Sequence, residues 1–189
     1  MSDETRGERE AGTPGGRTPR ERICPENPPR GNAHDLAAAV VAALRERGET
    51  LAWCESLTAG LASATVAEIP GASAVLRGGL VVYATDLKET LAGVPGEVLA
   101  AWGPVAKETA LHMARGCAEK LGATWVVSLT GVAGPQPQDG HPVGEVWLGV
   151  YGPNLWRARR LELMGDRAAI RQESVRVALG DLLGLLGAE

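Results

Sequence analysis

The chain has 189 residues, a formal net charge of -4 and 44% hydrophobic residues, which is typical of one globular domain. No apolar run approaches the roughly 20 residues that span a bilayer, and the amino-terminal stretch is too polar for a secretory signal, so we expect a cytoplasmic protein. The lack of a basic cluster in the sequence argues against nucleic acid as a partner. The three cysteines lie far apart, so neither a metal site nor a disulfide framework is expected.

The first 32 residues differ in composition from the rest of the chain. They are rich in charged residues, glycine and proline, and Ile23 is their only branched aliphatic residue. Such a segment buries too little apolar surface to offset the entropy of ordering, so residues 1–32 are predicted to form a disordered tail. The folded domain is predicted to span residues 33–189.

Helical and extended patterns alternate along the predicted domain. An amphipathic helix begins near Ala33 and stops at Gly48, and the short apolar strand TLAWC follows it. Strands are then predicted over residues 74–84, 124–131, 144–152 and 155–163, and helices from near Thr58 to before Pro70, over 104–122 and over 166–187. The pair Gly78-Gly79 interrupts one strand and indicates a bulge or a close backbone approach. This order predicts an α/β fold with helices on both faces of a sheet that the closing hairpin makes mixed.

The stretch LAWCESLTAGLASA, residues 51–64, ends an apolar strand in polar and small residues. A hydroxyl at this point faces the carboxyl edge of the sheet, where ligands bind in open α/β folds, so Ser56 is a candidate nucleophile. Free N–H groups at the start of the following helix would suit an oxyanion. Alternatively, Ser56 or Thr58 simply caps the helix, and on this stretch alone the cap is the commoner outcome.

A serine nucleophile needs a base, and Lys88 is the better candidate. Only three of the 19 basic residues are lysines, and lysine, unlike arginine, becomes a base when burial lowers its pKa. The histidines are weaker candidates, since His34 and His112 lie on polar helix faces and His141 lies in a long loop. Alternatively, Lys88 is a solvated helix residue among acidic neighbours, and the sequence pattern does not separate these two interpretations.

A third stretch, LTGVAGPQPQDGHPVG, follows a predicted buried strand. The strand ends at Thr130, and small residues come next: Gly131, Ala133 and Gly134. Their backbone N–H groups can hold a phosphate or a carboxylate. The alternative interpretation is an ordinary loop rich in glycine and proline.

The start of the last predicted helix also carries groups that bind anions. Asp166 is a candidate helix cap, and Arg167 and Arg171 lie four residues apart on one helix face. Either arginine can bind a phosphate through two parallel hydrogen bonds. A solvated charged face explains the same pattern.

Five stretches in register carry a resemblance to a known family. They are ESLTAGLASATVAEIPGASAVLRGGLVVYATDLKETLAGVP, GPVAKETALHMARG, LTGVAGP, PVGEVWLGV and GDRAAIRQESVRVAL. The chain closely resembles the CinA carboxy-terminal domain family, whose enzymatically defined members are nicotinamide-nucleotide amidohydrolases, also called NMN deamidases. The resemblance implies a three-layer α/β/α sandwich with a mixed, mostly parallel sheet, and it implies no metal or other cofactor.

By position, the resemblance implies a role for each candidate residue. Ser56 is similar to the family's nucleophile, Lys88 to its base, Thr130 to an assisting hydroxyl and Tyr83 to a wall of the active site. Glu55 either orients Lys88 or has a structural role. The expected substrate-binding residues are Glu55, Thr58, Gly60, Tyr83, Gly131, Ala133, Gly134 and Arg167.

The reaction implied by the resemblance is hydrolysis of the carboxamide of nicotinamide mononucleotide (NMN) to nicotinate mononucleotide and ammonia, through an acyl-enzyme on Ser56. Backbone N–H groups near Thr58 to Gly60 would hold the oxyanion, and those of Gly131 to Gly134, or Arg167, the phosphate. Two alternatives are a non-catalytic nucleotide-binding module of the same fold and an amidase for another small carboxamide. The expected partners are the small-molecule substrate and further copies of the chain, without nucleic acid or membrane.

The chain departs from the family's usual sequence at three places. Ala59 stands where a second glycine is usual, Ala106 where a serine is usual, and QPQDG, residues 136–140, where the loop is usually richer in glycine. Ala59 adds a methyl group near the expected oxyanion site, whereas Ala106 removes only a helix cap. None of these departures removes a proposed catalytic side chain.

Overall fold

The computed structural model of the chain describes residues 31–187. The predicted tail therefore lies outside the described residues, apart from its last two positions. Within the described part, the strands are β1 (Leu51–Glu55), β2 (Leu76–Val81), β3 (Trp125–Gly131), β4 (Glu145–Gly152) and β5 (Leu155–Glu162). The helices are α1 (Ala33–Arg47), α2 (Leu61–Ala67), α3 (Thr85–Thr90), α4 (Gly96–Trp102), α5 (Lys107–Leu121) and α6 (Arg167–Leu186).

Both long terminal helices begin at side-chain caps. The Asn32 side chain accepts a hydrogen bond from the N–H of Asp35 at the start of α1, and Gly48 ends that helix with a φ of 64°. The predicted cap of α6 is confirmed, because the Asp166 side chain accepts from the N–H of Ala169. None of the helices in residues 31–187 is both long and apolar enough to cross a membrane.

The five strands form one mixed sheet in the order β2-β1-β3-β4-β5. Strands β2, β1 and β3 are parallel, whereas β4 pairs antiparallel with β3 and β5 antiparallel with β4. The hairpin predicted at the end of the sheet is therefore present. Because β1 lies between two parallel neighbours, the carboxyl ends of these three strands meet at one edge, where ligands bind in such sheets.

Helices cover both faces of the sheet and divide the apolar core in two. One cluster joins α1, α2 and α6 to the sheet and contains Trp53 and Trp125, while the other lies under α5 and contains Cys54 and Met113. Successive residues of a strand point to opposite faces, so Trp53 and Cys54 enter different clusters. Every residue of β1 is buried, as expected for a strand covered on both sides.

Three local features differ from the predicted elements or refine them. Helix α2 begins at Leu61, not near Thr58, because Ala59 and Gly60 have φ values of 50° and 94° that no α-helix accommodates. The short helices α3 and α4 were not predicted as separate elements. The predicted irregularity in β2 is confirmed, since the register with β1 shifts there and a Cβ on Gly79 would overlap the hydroxyl of Ser63.

Candidate active site

A cavity of about 110 Å³ opens at the carboxyl edge of the three parallel strands. It lies where the chain leaves β1, β2 and β3, so that three short connections supply its walls. Eight of the eleven residues predicted from the sequence line it: Ser56, Tyr83, Lys88, Thr130, Gly131, Ala133, Gly134 and Arg167. The lining residues that the sequence did not indicate are Leu57, Thr85, Pro104, Val105, Val132, Gln136 and Gln138.

Ser56 and Lys88 meet in the wall of this cavity. Ser56 follows the last residue of β1, and its N–H continues the strand pairing by donating to the carbonyl of Leu129. Lys88 lies in α3 and is only 2% exposed. Its Nζ lies 3.0 Å from Ser56 Oγ and donates a second hydrogen bond of 3.1 Å to the carbonyl of Val82. Lys88 is therefore not the solvated helix residue of the alternative interpretation.

Burial lowers the pKa of the Lys88 ammonium below that of an exposed lysine, because the charged form loses its hydration. Cys54 and the carboxylate of Asp86 act in the opposite direction and offset only part of this effect. A neutral amine in this position keeps an N–H for the carbonyl of Val82 and turns its lone pair to Ser56. The pair then has the arrangement of a nucleophile and its general base.

Glu55 has a structural role at the start of α2. Its carboxylate is 1% exposed and accepts hydrogen bonds from the N–H groups of Gly60, Ala62 and Ser63 and from the Ser63 hydroxyl. It thus replaces a side-chain cap, because Gly60 precedes the helix and has no side chain that could accept. The interpretation of Ser56 or Thr58 as the helix cap is therefore wrong.

Thr58 and Gly60 lie behind the cavity wall and do not line it. The Thr58 side chain is fully buried and its hydroxyl has no hydrogen-bond partner within the described residues, while the N–H of Gly60 is bound to Glu55. The expectation that the N–H of Gly60 faces an oxyanion does not agree with this bond. Only Leu57 of the turn after Ser56 reaches the cavity.

Arg171 of α6 contacts the turn that follows Ser56. Its Nε donates to the carbonyl of Leu57 at 3.0 Å, and its Nη2 donates to the carbonyl of Thr58 at 2.7 Å. The guanidinium is thus directed at protein carbonyls, which differs from the phosphate-binding role considered for it in the sequence. The only sequence signal for this contact was the spacing of four residues from Arg167, which places both arginines on one helix face.

Arg167 spans the mouth of the cavity. Its Nη2 donates to the Tyr83 hydroxyl at 2.6 Å, and its Nη1 donates to the carbonyl of Gly134 at 2.9 Å. Tyr83 is 52% exposed and stands at the rim. Because a guanidinium has five N–H donors, these two bonds leave others for a ligand at the mouth.

Another wall of the cavity is formed by the end of β3 and the loop beyond it. The Thr130 hydroxyl donates to the carbonyl of Pro104 at 2.6 Å, so its oxygen remains free to accept hydrogen bonds. Farther along, the Glu145 carboxylate, 7% exposed, accepts from Trp147 and Arg160 and contacts His141, which ties the loop to the hairpin. No cluster of three or more His, Cys, Asp or Glu side chains within residues 31–187 is placed to hold a metal.

The chain is similar to known proteins in sequence and in fold. A family model described as the CinA C-terminal domain matches residues 33–186 of the chain. The chain belongs to the CinA C-terminal domain family. The CinA-like protein of Frankia casuarinae is 46% identical over 150 residues, which cover 79% of this chain and 35% of that protein. A putative competence-damage inducible protein of Limosilactobacillus fermentum is 45% identical, with 78% of this chain and 36% of that protein covered.

Solved structures of the CinA superfamily share the fold. A CinA superfamily protein from Klebsiella pneumoniae has a TM-score of 0.81 at 29% identity, and the match covers 84% of this chain and 100% of that chain. The competence/damage inducible protein CihA from Agrobacterium tumefaciens has a TM-score of 0.79 at 34% identity, and the match covers 84% of this chain and 97% of that chain. The predicted α/β fold is thereby confirmed. The chain spans only about a third of the length of the curated relatives it matches, at 35% and 36% of those proteins.

Proposed function

We propose that this CinA C-terminal domain hydrolyses the carboxamide of NMN, giving nicotinate mononucleotide and ammonia. The observation that carries the proposal is the contact of 3.0 Å between Lys88 Nζ and Ser56 Oγ in the buried wall of the cavity. Burial keeps a lysine neutral at a lower pH than in water, so this pair suits nucleophilic attack by a serine. The reaction class comes from the resemblance of the family's enzymatically defined members.

The first half of the proposed reaction forms an acyl-enzyme. The neutral Nζ of Lys88 takes the proton of the Ser56 hydroxyl while Oγ attacks the carboxamide carbon, and the C=O electron pair moves onto oxygen. When this oxyanion collapses, the C–N bond breaks. The nitrogen leaves as ammonia with the proton that Lys88 had accepted.

The second half returns the enzyme to its starting state. Water attacks the ester carbon and passes a proton to Lys88, and the Ser56–carbonyl bond then breaks with return of that proton to Oγ. Backbone N–H groups near Ser56 stabilise both oxyanions, and removal of one such donor typically costs about 3 kcal/mol in the barrier. Thr130 oxygen, a hydrogen-bond acceptor, suits the amide N–H groups of the substrate.

The small cavity volume suits the pyridine ring, with the ribose phosphate at the open mouth. Arg167 has N–H donors at that mouth, and the backbone from Gly131 to Gly134 lines the same side. We therefore place the phosphate between them. The positive charge of the pyridinium ring makes its carboxamide more electrophilic, which favours NMN over an uncharged amide.

The test is ammonia release from NMN by the purified chain and by Ser56→Ala and Lys88→Met. We expect release by the parent and a loss of at least about 1,000-fold in kcat for both variants, as is usual when one member of a nucleophile–base pair is removed. Ser73→Ala and Lys120→Met are matched controls, since both residues are exposed and lie outside the cavity. Full activity in a folded Ser56→Ala variant would refute the proposed mechanism.

Two other results would favour the alternatives. Binding of NMN in a calorimeter without ammonia release would favour a nucleotide-binding module. Ammonia release from a different small carboxamide, with none from NMN, would keep the Ser56 chemistry and change the substrate.

A further inference from the structure

The backbone N–H groups after Ser56 differ sharply in their availability. From Ser56 to Ser63 the chain has eight such groups, and six of them donate to acceptors within the protein. Ser56 donates to Leu129, Ala59 to Ser56, and Leu61 to Thr58, all at backbone carbonyls. The other three, Gly60, Ala62 and Ser63, donate to Glu55.

The two remaining N–H groups belong to Leu57 and Thr58. Neither has an acceptor within residues 31–187. They directly follow the candidate nucleophile. Leu57 lines the cavity, whereas Thr58 is fully buried behind its wall, so of the two it is the N–H of Leu57 that can meet a ligand. The N–H of the residue after a nucleophilic serine is a common oxyanion donor, because the attacked carbonyl oxygen lies next to it.

Arg171 holds the turn that carries the N–H of Leu57. Its Nε holds the carbonyl of Leu57, and its Nη2 holds the carbonyl of Thr58. With both carbonyls bound, this turn cannot rotate its peptides without breaking a charge-assisted hydrogen bond.

We propose that Arg171 is a positioning residue for the oxyanion site, and that this site is formed by the N–H group of Leu57. The inference rests on the proposed function, because it assigns a role within the same acyl transfer. Arg171 acts through the backbone and does not touch the substrate.

The test compares kcat and KM for NMN in the parent chain, Arg171→Ala and Arg171→Lys. An oxyanion donor acts mainly in the transition state, so we expect Arg171→Ala to lower kcat on the order of 10- to 100-fold while KM changes less than about threefold. Lysine retains the charge but reaches one carbonyl at a time, so Arg171→Lys should have an intermediate kcat. Added guanidinium should restore part of the activity of Arg171→Ala and none of that of Ser56→Ala.

Arg176→Ala is the matched control on the same helix, because the hydrogen bonds of Arg176 go to Glu173 of that helix. It should keep the parental kcat. Thermal melting separates a variant that fails to fold from a folded variant whose turn after Ser56 is displaced. If the Tm of Arg171→Ala is too low for the assay, Arg171→Lys serves as the second variant. A parental kcat in folded Arg171→Ala, or a change in KM alone, overturns the inference. A parent chain that releases no ammonia from NMN instead overturns the proposed function on which the inference rests.

Discussion

At the scale of single residues, Lys88 is the clearest case in which burial changes the protonation of a side chain. An exposed lysine has a pKa of about 10.4 and is almost entirely protonated near neutral pH. In this chain the side chain is 2% exposed, and burial lowers its pKa, so more of the neutral base is present at a given pH. Asp86, which stabilises the ammonium, works against this effect.

Asp86→Asn is therefore expected to make Lys88 a base at lower pH. In the proposed mechanism the neutral amine is the active form, so kcat/KM rises with pH through the Lys88 pKa. Removal of the Asp86 charge lowers that pKa. The ascending limb of the kcat/KM profile should move to lower pH in the variant. Glu89→Gln on the same helix is the control and should leave the limb in place, and a limb that moves to higher pH in Asp86→Asn would contradict the assignment of Lys88 as base.

Ala59 is the second residue whose conformation has a measurable consequence. Its φ of 50° lies in the left-handed region, which costs an L-residue about 1–2 kcal/mol. Glycine removes this strain but adds roughly 0.4–1 kcal/mol of unfolded-state entropy. We expect Ala59→Gly to raise the free energy of unfolding by about 0.5–1 kcal/mol, measured by urea denaturation. Ala64→Gly inside α2 is the control and should lower the free energy of unfolding by about 1 kcal/mol. A change of the same sign in both variants would refute the argument.

At the scale of elements, the sequence predicted the segments that have a clear apolar period. Helices α5 and α6 and strands β3 to β5 lie close to their predicted ranges. Helix α4 has no buried residue and α3 buries only Lys88, so neither presents an apolar stripe that periodicity could detect. Their positions depend on contacts with the rest of the molecule, which a local pattern does not contain.

The candidate site was predictable to a similar degree. Residues that follow the strand ends were found because parallel strands bring their carboxyl ends together. The hydrogen bonds of Glu55 and Arg171 could not be predicted. Glu55 accepts from N–H groups of a helix whose start depends on the φ of Ala59. Arg171 donates to carbonyls that lie 113 and 114 residues away in sequence. The roles that the resemblance implies for Ser56 and Lys88 stay predictions until activity is measured.

The contact of α5 with the chain after α3 gives a prediction at this scale. Gly116 of α5 lies so close to Ala92 that a Cβ would overlap the carbonyl oxygen of that residue. In an exposed helix, glycine to alanine stabilises by about 1 kcal/mol, but here the overlap reverses the sign. We expect Gly116→Ala to lower the free energy of unfolding by on the order of 2 kcal/mol in urea denaturation.

Lys120→Ala, at an exposed position of the same helix, is the control for an alanine that meets no neighbouring backbone. Its free energy of unfolding should stay within about 0.5 kcal/mol of the parent. Unchanged or increased stability in Gly116→Ala would show that α5 can move away from Ala92 without loss.

At the scale of the whole molecule, α6 joins the core, the hairpin and the cavity. Its buried face packs in the larger apolar cluster, and its first turns place Arg167 and Arg171 at the site. Farther along, the fully buried Asp181 carboxylate accepts two hydrogen bonds from Arg159 Nη1, at 2.8 and 3.0 Å, which ties α6 to β5.

Asp181→Asn should therefore destabilise the entire domain. Hydrogen bonds between charged groups contribute about 1.5–3 kcal/mol, so we expect a loss of roughly 2 kcal/mol and a fall in Tm of about 4–8 °C. Unfolding followed by calorimetry and the loss of ammonia release on heating should shift together. Glu173→Gln, which alters a solvent-facing pair with Arg176, should shift Tm by less than about 4 °C, and an equal shift in both variants would contradict the importance of the buried pair.

The hydrogen bonds from Arg171 to Leu57 and Thr58 also bear on when a newly made chain becomes active. A ribosome completes Ser56 and Lys88 long before it adds α6. The turn after Ser56 gains its guanidinium only when α6 has been synthesised and has docked. If the proposed roles of Ser56, Lys88 and Arg171 hold, nascent chains and chains cleaved within α6 carry the serine and its base without efficient turnover, and activity begins only when α6 has docked.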